Sequence, residues 1–237
     1  MTYIILVAGK GSRLHPLTLK TPKSMYKLDK NTTVLQRMVG FIRKYDRGAR
    51  IVAVTGFAHE TLEHGVEGAS FLFNPFFAVT NSIASLWFAR EYMDDEQITI
   101  INGDVVLEEK LIAEKLCKPV DRPMVFLDSS IKNDGDYNVQ VNGDNVVVMS
   151  KELQVYYGEY AGITKLDRDS AKLLKEEVCT MVENSMYDQW YENALVQMIF
   201  NHDFSLKYED ICTYSWTEVD CVGDLLMAKK IHLSDLK

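Results

Sequence analysis

The sequence predicts an α/β fold: a layered, mostly parallel, Rossmann-like mixed sheet with an antiparallel and helical lid. Two observations predict it. Short apolar runs alternate with helical patterns across the first half, which demands crossover connections and hence a parallel sheet. After Pro119 the texture changes to strands joined by tight turns, followed by helices.

The elements follow in order. Tyr3 to Val7 has the length and apolarity of a buried strand, and Val34 to Tyr45 has helical spacing, with Leu35, Met38, Val39 and Ile42 on one face. Asn31-Thr32 or Thr33 can cap that helix. Further strands are expected at Arg50 to Thr55, Ser70 to Phe73 and Gln97 to Ile101, with helices at Ala58 to His64 and Ile83 to Tyr92. In the second half, strands are expected at Met124 to Leu127, Tyr137 to Val141, Val146 to Met149 and Val155 to Thr164. Asn142-Gly143-Asp144-Asn145 is a hairpin signal. Helices near Arg168 to Cys179 and Tyr187 to Phe200, a strand near Ser215 and a helix from Cys221 complete the chain. The expected organisation is one domain over residues 1–237, with halves 1–118 and 119–237 as the two walls of a cleft.

Composition narrows the function classes. Hydrophobic residues are 47% and charged residues 25%, ordinary values for a folded chain. With 26 basic and 34 acidic side chains, the net charge of -8 argues against a nucleic-acid partner, which needs a basic surface. Cys117, Cys179, Cys212 and Cys221 form no CxxC pair and read as reduced thiols. No apolar run is long enough for a bilayer. A cytoplasmic protein without a membrane partner is expected, and a monomer and a homodimer both stay open.

The segment Leu6-Val7-Ala8-Gly9-Lys10-Gly11-Ser12-Arg13-Leu14 leaves the first strand directly. Its small residues let backbone N–H groups approach phosphate oxygens, and Lys10 and Arg13 add positive charge. In open α/β sheets ligands bind beyond the carboxyl ends of the strands, where this turn lies. It is neither a Walker A loop, because Gly11 follows Lys10, nor a dinucleotide fingerprint, because Leu14 stands at the third glycine. Asp104, in Asn102-Gly103-Asp104, also closes an apolar strand. Its carboxylate and that of Asp220, in Glu218-Val219-Asp220, are hard oxygen donors of the kind Mg2+ takes alongside substrate phosphates. A turn residue and a helix cap are the ordinary alternatives.

The longer run, with His15-Pro16-Leu17-Thr18 and Thr21-Pro22-Lys23-Ser24-Met25, resembles the nucleotidyltransferases that activate sugar phosphates and phosphocholine. The resemblance implies the nucleotide-diphospho-sugar transferase fold, with a nucleotide-binding half before residue 118 and an acceptor-binding half after it. It implies that Gly9, Gly11, Ser12 and Arg13 hold NTP phosphates, that Lys23 sits at the reacting phosphates, and that Asp104 and Asp220 hold Mg2+. Within the family the chain is similar to bacterial CTP:phosphocholine cytidylyltransferases and related enzymes for aminoalkyl phosphonates. CTP and a small phosphorylated acceptor are the implied partners, with a sugar 1-phosphate as the alternative acceptor.

Thr80, Asn81 and Ser82 are similar to the segment beside the pyrimidine base, though they also suit an ordinary helix cap. Asp188-Gln189-Trp190-Tyr191-Glu192-Asn193 resembles the run that helps bind the trimethylammonium group, and Tyr137 matches another aromatic of that pocket. Aromatic faces from Tyr137, Trp190 and Tyr191 with carboxylates from Asp188, Glu192 or Glu218 form a recipe for an organic cation; half-buried helix packing of Trp190 and Tyr191 is the ordinary alternative. Lys151, in Ser150-Lys151, can reach the acceptor phosphate, with a solvated surface lysine the ordinary alternative. The Trp-Tyr order is reversed relative to the phosphocholine enzymes, so a primary amine or a phosphorylated amino acid fits as well as choline.

Overall fold

The computed structural model describes residues 1–11, 14, 19–132 and 137–236. Its first half contains β1 (Thr2–Val7), α1 (Val34–Tyr45), β2 (Arg50–Thr55), α2 (His59–Gly65), β3 (Ser70–Phe73), α3 (Ser82–Phe88), β4 (Gln97–Asn102) and β5 (Val105–Leu107). A short helix, α4 (Glu109–Leu111), runs into a π turn at Ile112–Leu116. Then come β6 (Met124–Asp128), β7 (Asn138–Asn142), β8 (Asn145–Ser150), β9 (Gly158–Asp167), α5 (Arg168–Glu183) and α6 (Glu192–Asn201). The chain ends with β10 (Leu206–Asp210), β11 (Trp216–Glu218) and α7 (Val222–Asp235).

Nine strands form one sheet in the order β3-β2-β1-β4-β9-β6-β10-β8-β7, while β5 and β11 form a separate ladder. The first four strands are parallel, as the alternation requires. From β9 onward the pairing is mainly antiparallel, with β6 and β10 the parallel exception. The parallel character therefore belongs to the front half, and the sheet as a whole is mixed. The back-half strands extend that same sheet.

Alternation along β1 explains the two core layers. Ile4 packs with Ile83, Leu86, Leu174 and Leu195 on the face covered by α3, α5 and α6. Tyr3, Ile5 and Val7 pack with Leu35, Met38 and Ile42 of α1 on the other. Thr33 caps α1 through a reciprocal capping box with Gln36. The hairpin turn between β7 and β8 places Gly143 at φ 60°, where a side chain is unfavourable.

Several expected boundaries shift. The helix expected over Ile83 to Tyr92 stops at Phe88, because Ala89 leaves helical dihedrals and its N–H turns to Leu86 O; a 3₁₀ turn at Arg90–Tyr92 follows. The helix expected from Tyr187 begins at Glu192. Its would-be first turn bonds elsewhere: Tyr187 O and Gln189 O accept from the backbone N–H groups of Asn81 and Ile83, at 3.0 and 3.2 Å. β10 was not expected from the sequence, since its Leu-Lys-Tyr-Glu-Asp run shows no apolar stretch. Among the described residues no helix is long and apolar enough to cross a membrane.

Candidate active site

Sheet order reverses between β1 and β4, since the chain goes outward from β1 to β2 and β3 before returning on the other side. A crevice opens beyond the strand ends at such a switch point. Here it is a cleft of about 310 Å³.

One wall comes from the strand ends and the turn after β1: Leu6, Ala8, Gly9 and Gly11 line it. Gly103 fits tightly beside this turn, its N–H donating to Leu6 O at 2.9 Å. A Cβ there would lie 2.1 Å from Val7 Cγ1 and 2.7 Å from Leu6 O, so the Asn-Gly-Asp motif requires its glycine. Lys10 is exposed, its ammonium 5.7 Å from the centroid of the ring of Phe77, a cleft residue; Lys10 itself is not among the lining residues. Ser12 and Arg13 lie outside the described residues.

The start of α3 supplies Thr80, Asn81 and Ser82 to the same wall. Asn81 caps the helix, its side chain accepting from Ser82 N–H at 2.8 Å, so the cap coincides with the cleft lining. Fully buried Asn74 holds this corner by donating to Thr80 Oγ1 and Ser85 Oγ and accepting from Phe76 N–H at 2.9 Å.

Lys23 stands on a 3₁₀ turn just after Pro22. Its ammonium pairs with Asp104 and, at 2.9 Å, with Asp220 Oδ1. Burial alone would lower the Lys23 pKa, but the two carboxylates outweigh it and hold the pKa above the usual lysine value. Asp104 is buried, and its Oδ1 has no hydrogen-bond partner among the described residues. The β5–β11 ladder brings Asp220 to this point, helped by Val219 N–H donating to Asp104 O at 3.0 Å. Asp220 does not cap α7: Cys221 takes the cap position, and Asp224 accepts from the N–H groups of both 220 and 221. An unsatisfied buried carboxylate oxygen beside a second carboxylate is a hard-donor pair that fits Mg2+. Among the described residues no group of three metal-ligating acids, histidines or cysteines exists, so any such ion would draw further ligands from substrate or water.

Tyr137, Lys151, Trp190, Glu192 and Glu218 line the same cleft. Two residues expected with them lie elsewhere. Asp188 is exposed and does not line the cleft; its carboxylate accepts from Gln189 Nε2 at 3.1 Å. Tyr191 is fully buried in the core, its hydroxyl bonded to Tyr160 and, at 3.1 Å, to Thr164. The turn geometry of 187–191 sends adjacent residues to opposite environments, so Trp190 meets the cleft and Tyr191 the core. Glu192 is only 2% exposed. Burial raises its pKa to about 7, against the opposing pull of a hydrogen bond with Asn102 and the charge of Lys151. Asn102, Tyr160, Ser85 and Phe77 also line the cleft. Of these only Asn102 had a sequence signal, its place beside Gly103-Asp104.

A glycine turn, a half-buried lysine and two converging carboxylates at a switch point suit chemistry on a polyphosphate. Residues 2–118 match the nucleotidyl transferase family model. The first half of the chain is thus a nucleotidyl transferase family domain. It is 33% identical over 117 residues to the choline-phosphate cytidylyltransferase of Haemophilus influenzae, an alignment covering 48% of each chain. Thus it aligns with only about half the length of that relative. It is 25% identical to the CTP:phosphoglutamine cytidylyltransferase of Campylobacter jejuni, covering 95% of this chain and 98% of the other. The fold matches the solved CTP:phosphocholine cytidylyltransferase of Streptococcus pneumoniae with a TM-score of 0.80, at 22% identity and 98% coverage of each chain. This nucleotidyltransferase fold thus spans both halves of the chain.

Proposed function

We propose that this nucleotidyltransferase moves CMP from CTP to a small phosphorylated amine, amino acid or aminoalkyl phosphonate, releasing pyrophosphate. The observation that carries the reading is the meeting of Lys23, Asp104 and Asp220 beside the glycine turn. Relatives named for CTP chemistry support the choice of base. The acidic and aromatic residues lining the cleft support an acceptor bearing an amine over a sugar 1-phosphate, whose hydroxyls need no such charge.

The acceptor's phosphate or phosphonate oxygen is already anionic, so no general base is needed. That oxygen attacks the α-phosphorus in line, the α–β bridging bond breaks, and pyrophosphate departs with its electron pair. Gly9 and Gly11 border the triphosphate on the turn after β1, and Thr80, Asn81 and Ser82 flank the base. Lys23 directs its charge at the reacting phosphate, a preorganised electrostatic contribution. Asp104 and Asp220 would hold Mg2+, which supplies charge neutralisation to the polyphosphate. Tyr137, Lys151, Trp190, Glu192 and Glu218 position the acceptor.

A pyrophosphate-release screen tests the reading, crossing the common NTPs with phosphocholine, phosphoethanolamine, phosphoserine, 2-aminoethylphosphonate and glucose 1-phosphate in Mg2+. Release that depends on CTP and an amine-bearing acceptor is expected. Release only with another NTP or only with the sugar phosphate would overturn it.

A further inference from the structure

We propose that Lys151 makes the acceptor end of the cleft a site for a zwitterion, selecting a phosphorylated acceptor that carries a carboxylate beside its amine and disfavouring a trimethylammonium. This rests on the acceptor-binding reading of that end of the cleft.

The three aromatic rings expected there do not form an open cage. Tyr191 lies wholly in the core. Tyr137 is 8% exposed, packs edge-on against Tyr160 with centroids 6.1 Å apart, and donates its hydroxyl to Asn193 Oδ1 at 3.1 Å. Trp190 remains, and Lys151 Nζ lies 4.4 Å from its ring centroid. The attraction that an aromatic face offers a cation is therefore used by the chain's own ammonium. A bound trimethylammonium would displace that ammonium or lie beside a like charge.

The charges around the ring have both signs. Lys151 supplies the positive one, and Glu192 and Glu218 line the same cleft. Glu192 Oε2 has no hydrogen-bond partner among the described residues. A primary ammonium can donate N–H groups to such an oxygen; a quaternary one has none to give. A carboxylate on the same acceptor can accept from the Lys151 ammonium, which carries three donors. An acceptor with both groups offers a partner to each sign at once, whereas a phosphorylated amine without a carboxylate offers Lys151 no such additional partner.

Equilibrium binding tests this with the full chain loaded with a non-hydrolysable CTP analogue and Mg2+. Phosphoserine and phosphoethanolamine differ by the carboxylate alone, and phosphocholine adds the three methyl groups. The wild type is expected to bind phosphoserine at least about tenfold more tightly than phosphoethanolamine, with phosphocholine weakest. Lys151→Met should abolish the phosphoserine advantage, and Lys151→Arg should retain it. An equal loss for all three ligands in Lys151→Met would mean that the lysine holds the shared phosphate, and would overturn the proposal. Wild-type preference for phosphocholine, or no binding of any of the three, would overturn it too. All these results leave the nucleotide reading standing. Failure to bind the analogue itself removes the cytidylyltransferase reading, and this inference with it.

Discussion

The backbone N–H of Tyr191 donates to Ser82 Oγ at 2.8 Å, tying the start of α3 to the segment before α6. Ser82 opens α3, and Trp190, one residue before Tyr191, lines the same cleft; in the proposed reading the first lies by the nucleotide and the second by the acceptor. Ser82→Ala should leave a largely buried N–H unpaired, at a cost of about 1–3 kcal/mol. The expected outcome is a lower denaturation midpoint and a raised acceptor KM, with Ser82→Thr closer to the wild type. An unchanged midpoint and KM in Ser82→Ala would show that the tie carries no energy.

Lys23 and Asp104 should each be needed for turnover. Lys23→Ala and Asp104→Ala are expected to lower kcat by at least about two orders of magnitude, the scale of one lost preorganised contact. Lys23→Ala also leaves Asp104 and Asp220 without their shared cation, so it should destabilise the protein. If the two carboxylates hold Mg2+, adding the ion should raise the melting temperature of Lys23→Ala more than that of the wild type. Calorimetric scans with and without Mg2+ check this.

Glu192 should give stability a specific pH dependence. Its folded-state pKa of about 7 lies above the usual glutamate value, so the native state holds a proton that the unfolded state has released. Stability from this group is therefore present at low pH and falls as pH rises from the unfolded value through about 7. The full change is on the order of 3 kcal/mol. Urea denaturation from pH 5 to 8 should show that decline in the wild type and a smaller one in Glu192→Gln. Parallel curves for the two proteins would contradict the assignment.

Gly103→Ala should disrupt the junction of β1 and β4. The added methyl group would meet Val7 Cγ1 and Leu6 O well inside contact distance. A cost of about 1–3 kcal/mol is expected from overpacking, together with weaker CTP binding, because Leu6 lines the cleft. Denaturation curves and nucleotide titration read the two effects separately.

The front half of the fold was legible because its signals are local. β1, β2, β3 and β4 each end at a turn signal, and the glycine turn, Lys23 and Asp104 lie at or near strand ends. Asp220 was legible as a carboxylate ahead of the last helix, but its approach to Asp104 depends on a ladder between strands more than a hundred residues apart. Tyr191 was misplaced for a related reason. Side-chain direction in 187–191 is set by hydrogen bonds to α3, which no spacing within the run reveals. β10 carries no sequence signal, because a strand inserted between β6 and β8 can be polar and still pair through its backbone.

The β5–β11 ladder has a consequence for how acceptor choice can vary. Glu108 and Ser215 fasten its open end twice, Glu108 N–H to Ser215 O and Ser215 N–H to Glu108 Oε2, both at 2.9 Å. The chain between them leaves and returns at this one pair, with β9 joining β4 in the main sheet, while Asp104 and Asp220 stand just beyond the ladder's other end. That excursion carries Tyr137, Lys151 and Trp190. If the proposed reading holds, its loops can be re-tailored for a new cargo without moving the acidic pair, giving one phosphate-handling centre a replaceable reading head.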